Sequence, residues 1–272
     1  MEKSQQQNFV TLNNGIKMPL LGLGIYQLHG RECEKCVLEA VNMGYRLFDT
    51  AQMYSNEREL GNAIKECGIP REELFITTKL YSPSTSYKKA ASAIEESLKS
   101  LQTDYIDLLL IHEPYRTSGE MYRAMKEAYQ DGRVRAIGIS NFNKGQYLEF
   151  VKYCGVIPAV NQVEAHVFYQ QKELQETMRR YGTIMNAWSP FACGKNDFFQ
   201  NETLTAIGMK YGKSAAQIGL KYLIQREIVA IPKSSHIERL KSNIDIFDFM
   251  LSEQDQLLID ALDGGRTLFG WY

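Results

Sequence analysis

The chain has 272 residues, enough to bury a large core, and its charged residues (23%) leave a net charge of only −1. This balance gives no attraction to nucleic acid or to an anionic membrane surface, so the expected partners are small molecules. No apolar segment of a signal peptide is visible, and LLLI is among the longest aliphatic runs, far too short to span a membrane. We therefore expect a cytoplasmic monomer with one domain over residues 1–272.

The first elements are a hairpin, a strand and a helix. In FVTLNNGIKMP, short alternating runs flank Asn14-Gly15, a dipeptide that favours a two-residue turn. We expect this hairpin to close one end of the fold. PLLGLGIY then predicts a buried strand, and apolar residues recur at helical spacing from Arg31 to Met43.

That helix contains a lone C-x-x-C pair, Cys33 and Cys36. Val37 and Ala40 continue the same apolar stripe, so core packing explains the pair better than metal binding or redox chemistry. The odd total of five cysteines in a chain of this length indicates reduced thiols.

Strands and helices alternate along the rest of the chain. The further strand-like runs are YRLF, LFITTK, YIDLLLI, VRAIGIS, AVNQV, TIMNAW and IVAIP, and amphipathic stretches such as Tyr87 to Leu101 follow them. Together with PLLGLG they make eight strands, and the alternation implies that the strands are parallel. We predict an α/β fold, a (β/α)8 TIM barrel with an N-terminal β-hairpin and an extra C-terminal helix from Glu253 to Leu262. The last residues, DGGRTLFGWY, are predicted to form a loose tail.

Barrel enzymes build their sites at the C-terminal ends of the strands. Most of those positions here carry polar, charged or aromatic groups: Gly24, Asp49, Lys79, His112, Ser140, Asn141, Gln162, Trp188, Ser189, Lys233 and Ser234. Singly, such residues have structural explanations, because Asp49 can cap a helix and His112 can be a hydrogen-bonded core histidine. Their occurrence at successive strand ends favours a functional site.

These motifs resemble the aldo-keto reductases, which are NAD(P)H-dependent carbonyl reductases built on a (β/α)8 barrel. The resemblance covers nearly the whole chain and is carried by GYRLFDTAQMYSNE, the strand end at Lys79, IDLLLIH, GISNF, VNQVE and IPKSSHIERLKSN, in the family's order. It implies a catalytic tetrad of Asp49, Tyr54, Lys79 and His112. Tyr54 would protonate the carbonyl oxygen, with its pKa lowered by Lys79. Asp49 would hold Lys79 in place, and His112 would orient the substrate oxygen.

The cofactor is also implied by the resemblance, since the sequence has no G-x-G-x-x-G strand–helix turn and no Walker motif. The family binds NADPH across the barrel mouth. The residues implied to contact it are Gly24, Ile25, Tyr26, Asp49, Ser140, Asn141, Gln162, Trp188, Ser189, Phe191, Lys233, Ser234, Ser235, Arg239 and Asn243. Ser140, Asn141 and Gln162 would hold the carboxamide, and Trp188, where the family commonly has Tyr, would stack on the nicotinamide. Lys233 and Arg239 favour the 2′-phosphate of NADPH over NADH.

The implied substrate contacts are Tyr26, Tyr54, Tyr81, His112 and Glu113. Tyr81 and Glu113 replace a frequent Trp and a frequent aromatic residue, which makes the pocket less apolar. Glu113 either disfavours carboxylate substrates by like-charge repulsion or turns outward and has no effect. A third departure is Ser242, where the family frequently has a longer Glu or Gln, and it leaves the affinity for the adenine open. Further wall residues are expected to be His29, Phe168, Phe269 and Trp271, around an open mouth with short loops.

The short loops resemble the microbial branch of the family, with enzymes similar to diketogluconate reductase and prostaglandin F synthase. This implies NADPH-dependent reduction of aldehydes, dicarbonyls such as methylglyoxal, and activated ketones. Two alternatives stay open at this point. One is a non-catalytic NADPH-binding sensor, and the other is a metal-dependent barrel hydrolase that uses Asp49, His112, Glu164 and His166 as ligands.

Overall fold

The computed structural model of the protein describes residues 9–270. Its strands are β1 (Phe9–Thr11), β2 (Lys17–Pro19), β3 (Leu23–Gly24), β4 (Leu47–Asp49), β5 (Phe75–Leu80), β6 (Leu108–Ile111), β7 (Ile137–Ser140), β8 (Val160–Glu164), β9 (Ile184–Trp188) and β10 (Val229–Ala230). Its helices are α1 (Gly30–Asn42), α2 (Glu57–Glu66), α3 (Tyr87–Leu101), α4 (Ser118–Gln130), α5 (Lys144–Val151), α6 (Lys172–Arg179), α7 (Glu202–Tyr211), α8 (Ala215–Gln225), α9 (Ile237–Ile244) and α10 (Glu253–Asp260).

Strands β3 to β10 form one parallel sheet in chain order, and the sheet closes on itself. Backbone bridges join its two edges, with the Gly22 amide 2.9 Å from the Ala230 carbonyl and the Gly24 amide 3.1 Å from the Pro232 carbonyl. The predicted (β/α)8 barrel is therefore confirmed, together with its N-terminal hairpin and its extra C-terminal helix. All eight C-terminal strand ends consequently share one rim.

The predicted periodicities correspond to the observed burial. Every residue of β5 and of β6 is buried, as expected for strands enclosed by helices on one side and packed barrel residues on the other. Helix α3 begins after Ser86, whose hydroxyl accepts a hydrogen bond from the Lys89 amide. Its predicted stripe, with Ala90, Ile94 and Leu98 among its members, faces the core.

The hairpin β1–β2 caps the N-terminal ends of the barrel strands, as predicted, but its turn differs. The Leu12 amide donates to the Ile16 carbonyl at 2.8 Å, which leaves three residues in the turn, with Gly15 at φ +86°. The prediction of a two-residue turn was wrong. A turn of Asn14 and Gly15 alone would pair Asn13 with Ile16, whereas the residue that pairs with Ile16 is Leu12. The Asn14 side chain donates to the Arg135 carbonyl and thereby fixes the hairpin beneath the barrel.

The predicted loose tail is held against the barrel as far as it is described. The Leu268 amide donates to Glu164 at 2.8 Å, and the Leu268 carbonyl accepts from Lys195. Asp263 accepts from the amide of Gln170 at 3.2 Å. Trp271, which was expected to line the pocket, lies outside the described residues.

The cysteines are all free thiols. Cys33 and Cys36 are buried in α1, and burial raises the pKa of Cys33 to about 12 and that of Cys36 to about 11. These protonated, enclosed thiols serve as core residues. Within residues 9–270 no helix combines the length and the apolar character that crossing a membrane requires.

A buried carboxylate fastens the starts of three strands. Asp107 is fully buried and accepts from Arg71 at 2.7 Å, from Arg135 at 2.7 Å and from the Ile76 amide at 2.9 Å. We expect Asp107→Asn to lower the free energy of unfolding by about 2–4 kcal/mol, because an amide cannot accept from all these donors. Urea titration measures the loss. The control Asp131→Asn removes an exposed partner of Arg133 and should cost less than about 0.5 kcal/mol; equal losses would contradict this role.

Candidate active site

A buried ion pair lies at the centre of the rim. Lys79 on β5 is 2.5 Å from Asp49 at the end of β4, and it also donates to the Thr50 carbonyl at 2.8 Å. Gln162 donates to the second oxygen of Asp49 at 2.7 Å. Burial opposes the charge on Lys79, but Asp49 and Tyr54 outweigh it and hold the pKa of Lys79 above its usual value. The pair thus supplies a fixed, desolvated ammonium group.

Tyr54 ends a short helical turn, Gln52–Tyr54, that follows β4. The Lys79 ammonium lies 5.0 Å from the centre of the Tyr54 ring, and the His112 ring packs edge-on at 5.6 Å. Burial raises the pKa of Tyr54, and the ammonium of Lys79 opposes this rise without reversing it. The expectation that Lys79 lowers the pKa of this phenol below its usual range is therefore corrected. The phenol keeps its proton at neutral pH, and Lys79 stabilises the phenolate when that proton leaves.

His112 follows β6 and is held through its backbone. Its amide donates to the Leu80 carbonyl at 2.9 Å, and its carbonyl accepts from the Asn141 side chain at 3.0 Å. Burial, with a smaller contribution from Lys79, lowers the pKa of His112 to about 3. The ring is accordingly neutral at physiological pH and can donate one N–H to an oxygen.

The buried imidazole makes stability depend on pH. Because the pKa of His112 falls from 6.5 in the unfolded chain to about 3 in the fold, protons bind the unfolded chain preferentially in this interval. Stability should decline as the pH falls from 6.5 towards 3, by up to about 1.4 kcal/mol per pH unit more than in His112→Asn. Urea titrations across this range measure both slopes. If the wild type and His112→Asn lost stability at the same rate as the pH falls, His112 would have the same pKa in the folded and the unfolded chain.

The three residues predicted to hold a carboxamide lie together on β7, just after it and on β8. Ser140 donates its hydroxyl to the Gln162 carbonyl at 2.8 Å, and Asn141 has φ +63°. The Trp188 indole donates to the Asn141 side chain at 2.8 Å, which fixes the ring orientation at the rim. Asn141 thus links the Trp188 ring to the backbone of His112 in the tetrad.

A cavity of about 360 Å³ adjoins the N-terminal end of α9. Five predicted cofactor residues line it: Phe191, Lys233, Ser234, Arg239 and Asn243. Ser242, the residue expected near the adenine, lines it as well. Phe199, Ser214, Ala216 and Glu238 complete it, whereas Ser235 does not line it. Another cavity, of about 300 Å³, lies beside the hairpin at the opposite end of the barrel and contains none of the predicted residues.

The loop after β9 brings Phe191 and Phe199 to the cavity of about 360 Å³ beside α9. Its non-glycine residues Ser189, Ala192 and Cys193 all have positive φ values. Such conformations are costly for side-chain-bearing residues and concentrate at functional sites. Gly24 ends β3, which closes the barrel against the β10 segment beside β9, and a Cβ there would lie only 3.0 Å from the Ile231 carbonyl oxygen. Its neighbour Ile25 is buried.

The predicted substrate residues surround the mouth unevenly. Tyr26 is 50% exposed, and its ring lies 4.9 Å from that of Tyr54. Tyr81 and Glu113 are half-buried near Tyr115, whose pKa is raised to about 12 by burial and then by Glu113. Of the other expected wall residues, Phe269 packs on Trp188, Phe168 is buried against Phe198, and His29 is exposed at the start of α1.

Sequence reasoning missed the residues that support Tyr54. Asn56 is fully buried, donates to the Ile25 and Leu28 carbonyls and accepts from Thr50 at 2.5 Å. It thereby ties the loop that carries Tyr54 to the loop after β3. Glu57, also buried, accepts from Thr78 at 2.6 Å. Both belong to GYRLFDTAQMYSNE, so their presence in that motif was the available signal.

The donor set of the hydrolase alternative is not brought together. Asp49 is occupied by Lys79 and Gln162, whereas Glu164 bonds to His166 at 3.0 Å. No group of three or more potential metal ligands occurs among the residues that the structure describes. Three of the four proposed ligands, Asp49, Glu164 and His166, therefore serve other interactions.

Comparison with known proteins adds an independent result. The sequence model of the aldo/keto reductase family matches residues 20–263. A glyoxal reductase of Bacillus subtilis is 44% identical over 256 residues, with 93% of this chain and 92% of that protein covered. A morphine 6-dehydrogenase of Pseudomonas putida is 40% identical over 270 residues, with 94% and 91% covered. The crystal structure of a Bombyx mori aldo-keto reductase in complex with NADP is similar with a TM-score of 0.91 and 34% identity, covering 96% of this chain and 94% of that one.

Proposed function

The chain belongs to the aldo/keto reductase family, and we propose that it reduces aldehydes, dicarbonyls such as methylglyoxal, and activated ketones to alcohols with NADPH. The observation that carries this proposal is the position of the Tyr54 phenol beside the buried Lys79–Asp49 pair. A carbonyl gains negative charge on oxygen as hydride adds to carbon, and a positioned acid lowers that barrier.

Each member of the tetrad has a distinct role in this proposal. Tyr54 donates its proton to the substrate oxygen, and Lys79 stabilises the phenolate that remains. Asp49 keeps Lys79 charged and in place, and Gln162 fixes the second oxygen of Asp49. The neutral His112 donates an N–H to the same substrate oxygen and so sets the angle at which the carbonyl faces the rim. When bound, the reduced nicotinamide supplies the hydride.

The residues present fit an extended dinucleotide. Trp188 would stack on the nicotinamide, and Ser140, Asn141 and Gln162, whose side chains also bond within the protein, would lie beside the carboxamide. Gly24 remains a proposed contact, although the Ile231 carbonyl oxygen lies 3.0 Å from where a Cβ of Gly24 would stand. The adjoining cavity of about 360 Å³ supplies Lys233 and Arg239, which suit a phosphate. Tyr26, Ile25, Ser189 and Ser235 remain proposed contacts.

The substrate class is proposed from the mouth and from one relative. The similar Bacillus subtilis protein is a glyoxal reductase, which acts on a small dicarbonyl. Tyr26 at 50% exposure and the half-buried Tyr81 and Glu113 form an open, partly polar rim. Such a rim suits small polar carbonyl compounds better than large apolar ones.

The experiment that tests the function is a panel of carbonyl compounds assayed for oxidation of NADPH and of NADH. We expect turnover of methylglyoxal and of several unrelated aldehydes, with NADPH preferred. Activity with one bulky steroid-like ketone alone would contradict the broad specificity. A sensor would bind NADPH and turn over none of them; the buried ammonium beside the phenol argues against it, because binding alone does not need a stabilised phenolate.

Arg239 should determine the preference for NADPH. Arg239→Ala should raise the dissociation constant of NADPH by about 10- to 100-fold and leave that of NADH nearly unchanged, because the lost bonds are to the 2′-phosphate. Fluorescence titration with both dinucleotides measures this difference. The control Lys241→Ala changes an exposed cation on α9 that does not line the cavity. Equal weakening for both dinucleotides would refute this role.

A further inference from the structure

Glu164 is a buried carboxylate for which the proposed chemistry has no use. It ends β8, is completely buried, and accepts from His166 at 3.0 Å, from the Leu268 amide at 2.8 Å and from the Thr267 hydroxyl. His166 accepts from the Phe168 amide at 3.2 Å through Nδ1, so its Nε2 carries the proton that points at Glu164. Two of the three donors to this carboxylate therefore come from the C-terminal tail.

The same tail contacts the ring of Trp188. Thr267 accepts from the Phe269 amide at 3.0 Å, and the Phe269 ring packs on Trp188 at 5.4 Å with the planes 60° apart. Lys195, from the loop after β9, donates to the Leu268 carbonyl and lies 4.4 Å from the centre of the Phe269 ring. The tail is thus held between a strand end and a rim loop.

Glu164 and Trp188 are also neighbours in the sheet. They are register partners on β8 and β9, so the anchor of the tail and the indole sit side by side on the rim. The indole is restrained by its bond to Asn141 and by the Phe269 ring. Loss of the tail would remove the second of these restraints.

We propose that Glu164 is a positioning residue that, through Thr267 and Leu268, holds Phe269 against Trp188 and so sets the indole for the nicotinamide. The role of the indole at the nicotinamide rests on the proposed function, whereas the contact between tail and indole does not. A buried carboxylate is costly unless donors satisfy it, so the fold favours the docked tail over a released one. The donors hold the pKa of Glu164 below its usual value against the opposing effect of burial, and the group stays charged at neutral pH.

The first test uses the fluorescence of the indole without cofactor. The sequence contains two tryptophans, so a Trp271→Phe background leaves Trp188 as the only tryptophan, and excitation at the red edge of its absorption avoids the tyrosines. In that background, Glu164→Gln should raise acrylamide quenching of Trp188 about twofold or more, because Gln offers donors where the tail also offers donors. Phe269→Ala should do the same, and the double variant should show no further increase. The control Glu173→Gln changes an exposed carboxylate on α6 and should leave quenching unaltered.

The second test measures the dissociation constant of NADPH in the same variants. Glu164→Gln and Phe269→Ala should each raise it by about three- to tenfold, again without additivity. Unchanged quenching and affinity in Glu164→Gln, or additive effects in the double variant, would overturn the proposal. If Glu164→Gln does not fold, Thr267→Val removes one tail donor and must reproduce the quenching change in weaker form. If quenching increased in Glu164→Gln but the wild type did not bind NADPH at all, the contact between tail and indole would be supported. The proposed function would then be contradicted instead.

Discussion

Tyr54→Phe should lower the rate of carbonyl reduction by about 10²–10⁴-fold while NADPH still binds, because only the proton donor is removed. The ring and its packing against Tyr26 and His112 persist in this variant, and Lys79 keeps its partner Asp49. The loss should therefore fall on turnover and leave the affinity for the dinucleotide unchanged. Steady-state rates and fluorescence titration of NADPH separate the two quantities.

A matched loss of a phenolic hydroxyl elsewhere provides the control. Tyr153 is 59% exposed, and its ring packs on Phe150 away from the rim. Tyr153→Phe should keep wild-type turnover and wild-type NADPH affinity. If Tyr54→Phe retained more than about a tenth of the wild-type rate, the phenol would not be the acid that general acid catalysis requires.

Lys79→Met should be both inactive and unstable. It leaves Asp49 buried with its charge uncompensated, which costs about 3–5 kcal/mol of unfolding free energy. The phenolate of Tyr54 also loses the ammonium that lies 5.0 Å from its ring. Urea titration and steady-state rates measure the two losses in the same preparation.

The double variant Lys79→Met with Asp49→Asn separates stability from catalysis. Removal of both charges should restore most of the lost stability, because replacing a buried ion pair by neutral groups is often close to neutral. Turnover should remain lost, since the phenolate is still unsupported. Lys144→Met, at an exposed pair with Glu173, should change stability by less than about 0.5 kcal/mol. A double variant that regains turnover would remove Lys79 from the mechanism.

The barrel, and the place of Asp49 and Lys79 at its strand ends, could be predicted from local patterns, whereas their pairing was implied by the resemblance to the family. Period-two and period-3.6 runs mark the strands and helices, and parallel strands bring their C-terminal ends to one rim. The hairpin turn was mispredicted because one backbone bond, between Leu12 and Ile16, decides its length. No local signal in the dipeptide Asn14-Gly15 contains that information.

The tail and the pKa of Tyr54 could not be predicted for a different reason. Leu268 bonds to Glu164 across 104 residues of sequence, and nothing in TLFG indicates that contact. The pKa of Tyr54 depends on how much solvent the completed fold removes, and this opposes the influence of Lys79 that the sequence suggested. Both features arise from tertiary packing and become visible only with the structure.

Transfer of deuterium from labelled NADPH to methylglyoxal is the most direct measurement. With deuterium at the transferable position of the nicotinamide, the product alcohol should carry one deuterium on the former carbonyl carbon, and Tyr54→Phe should form almost none of it. Mass spectrometry of the product reads this outcome. Saturating binding of NADPH without labelled alcohol from any carbonyl compound of the panel would contradict the account.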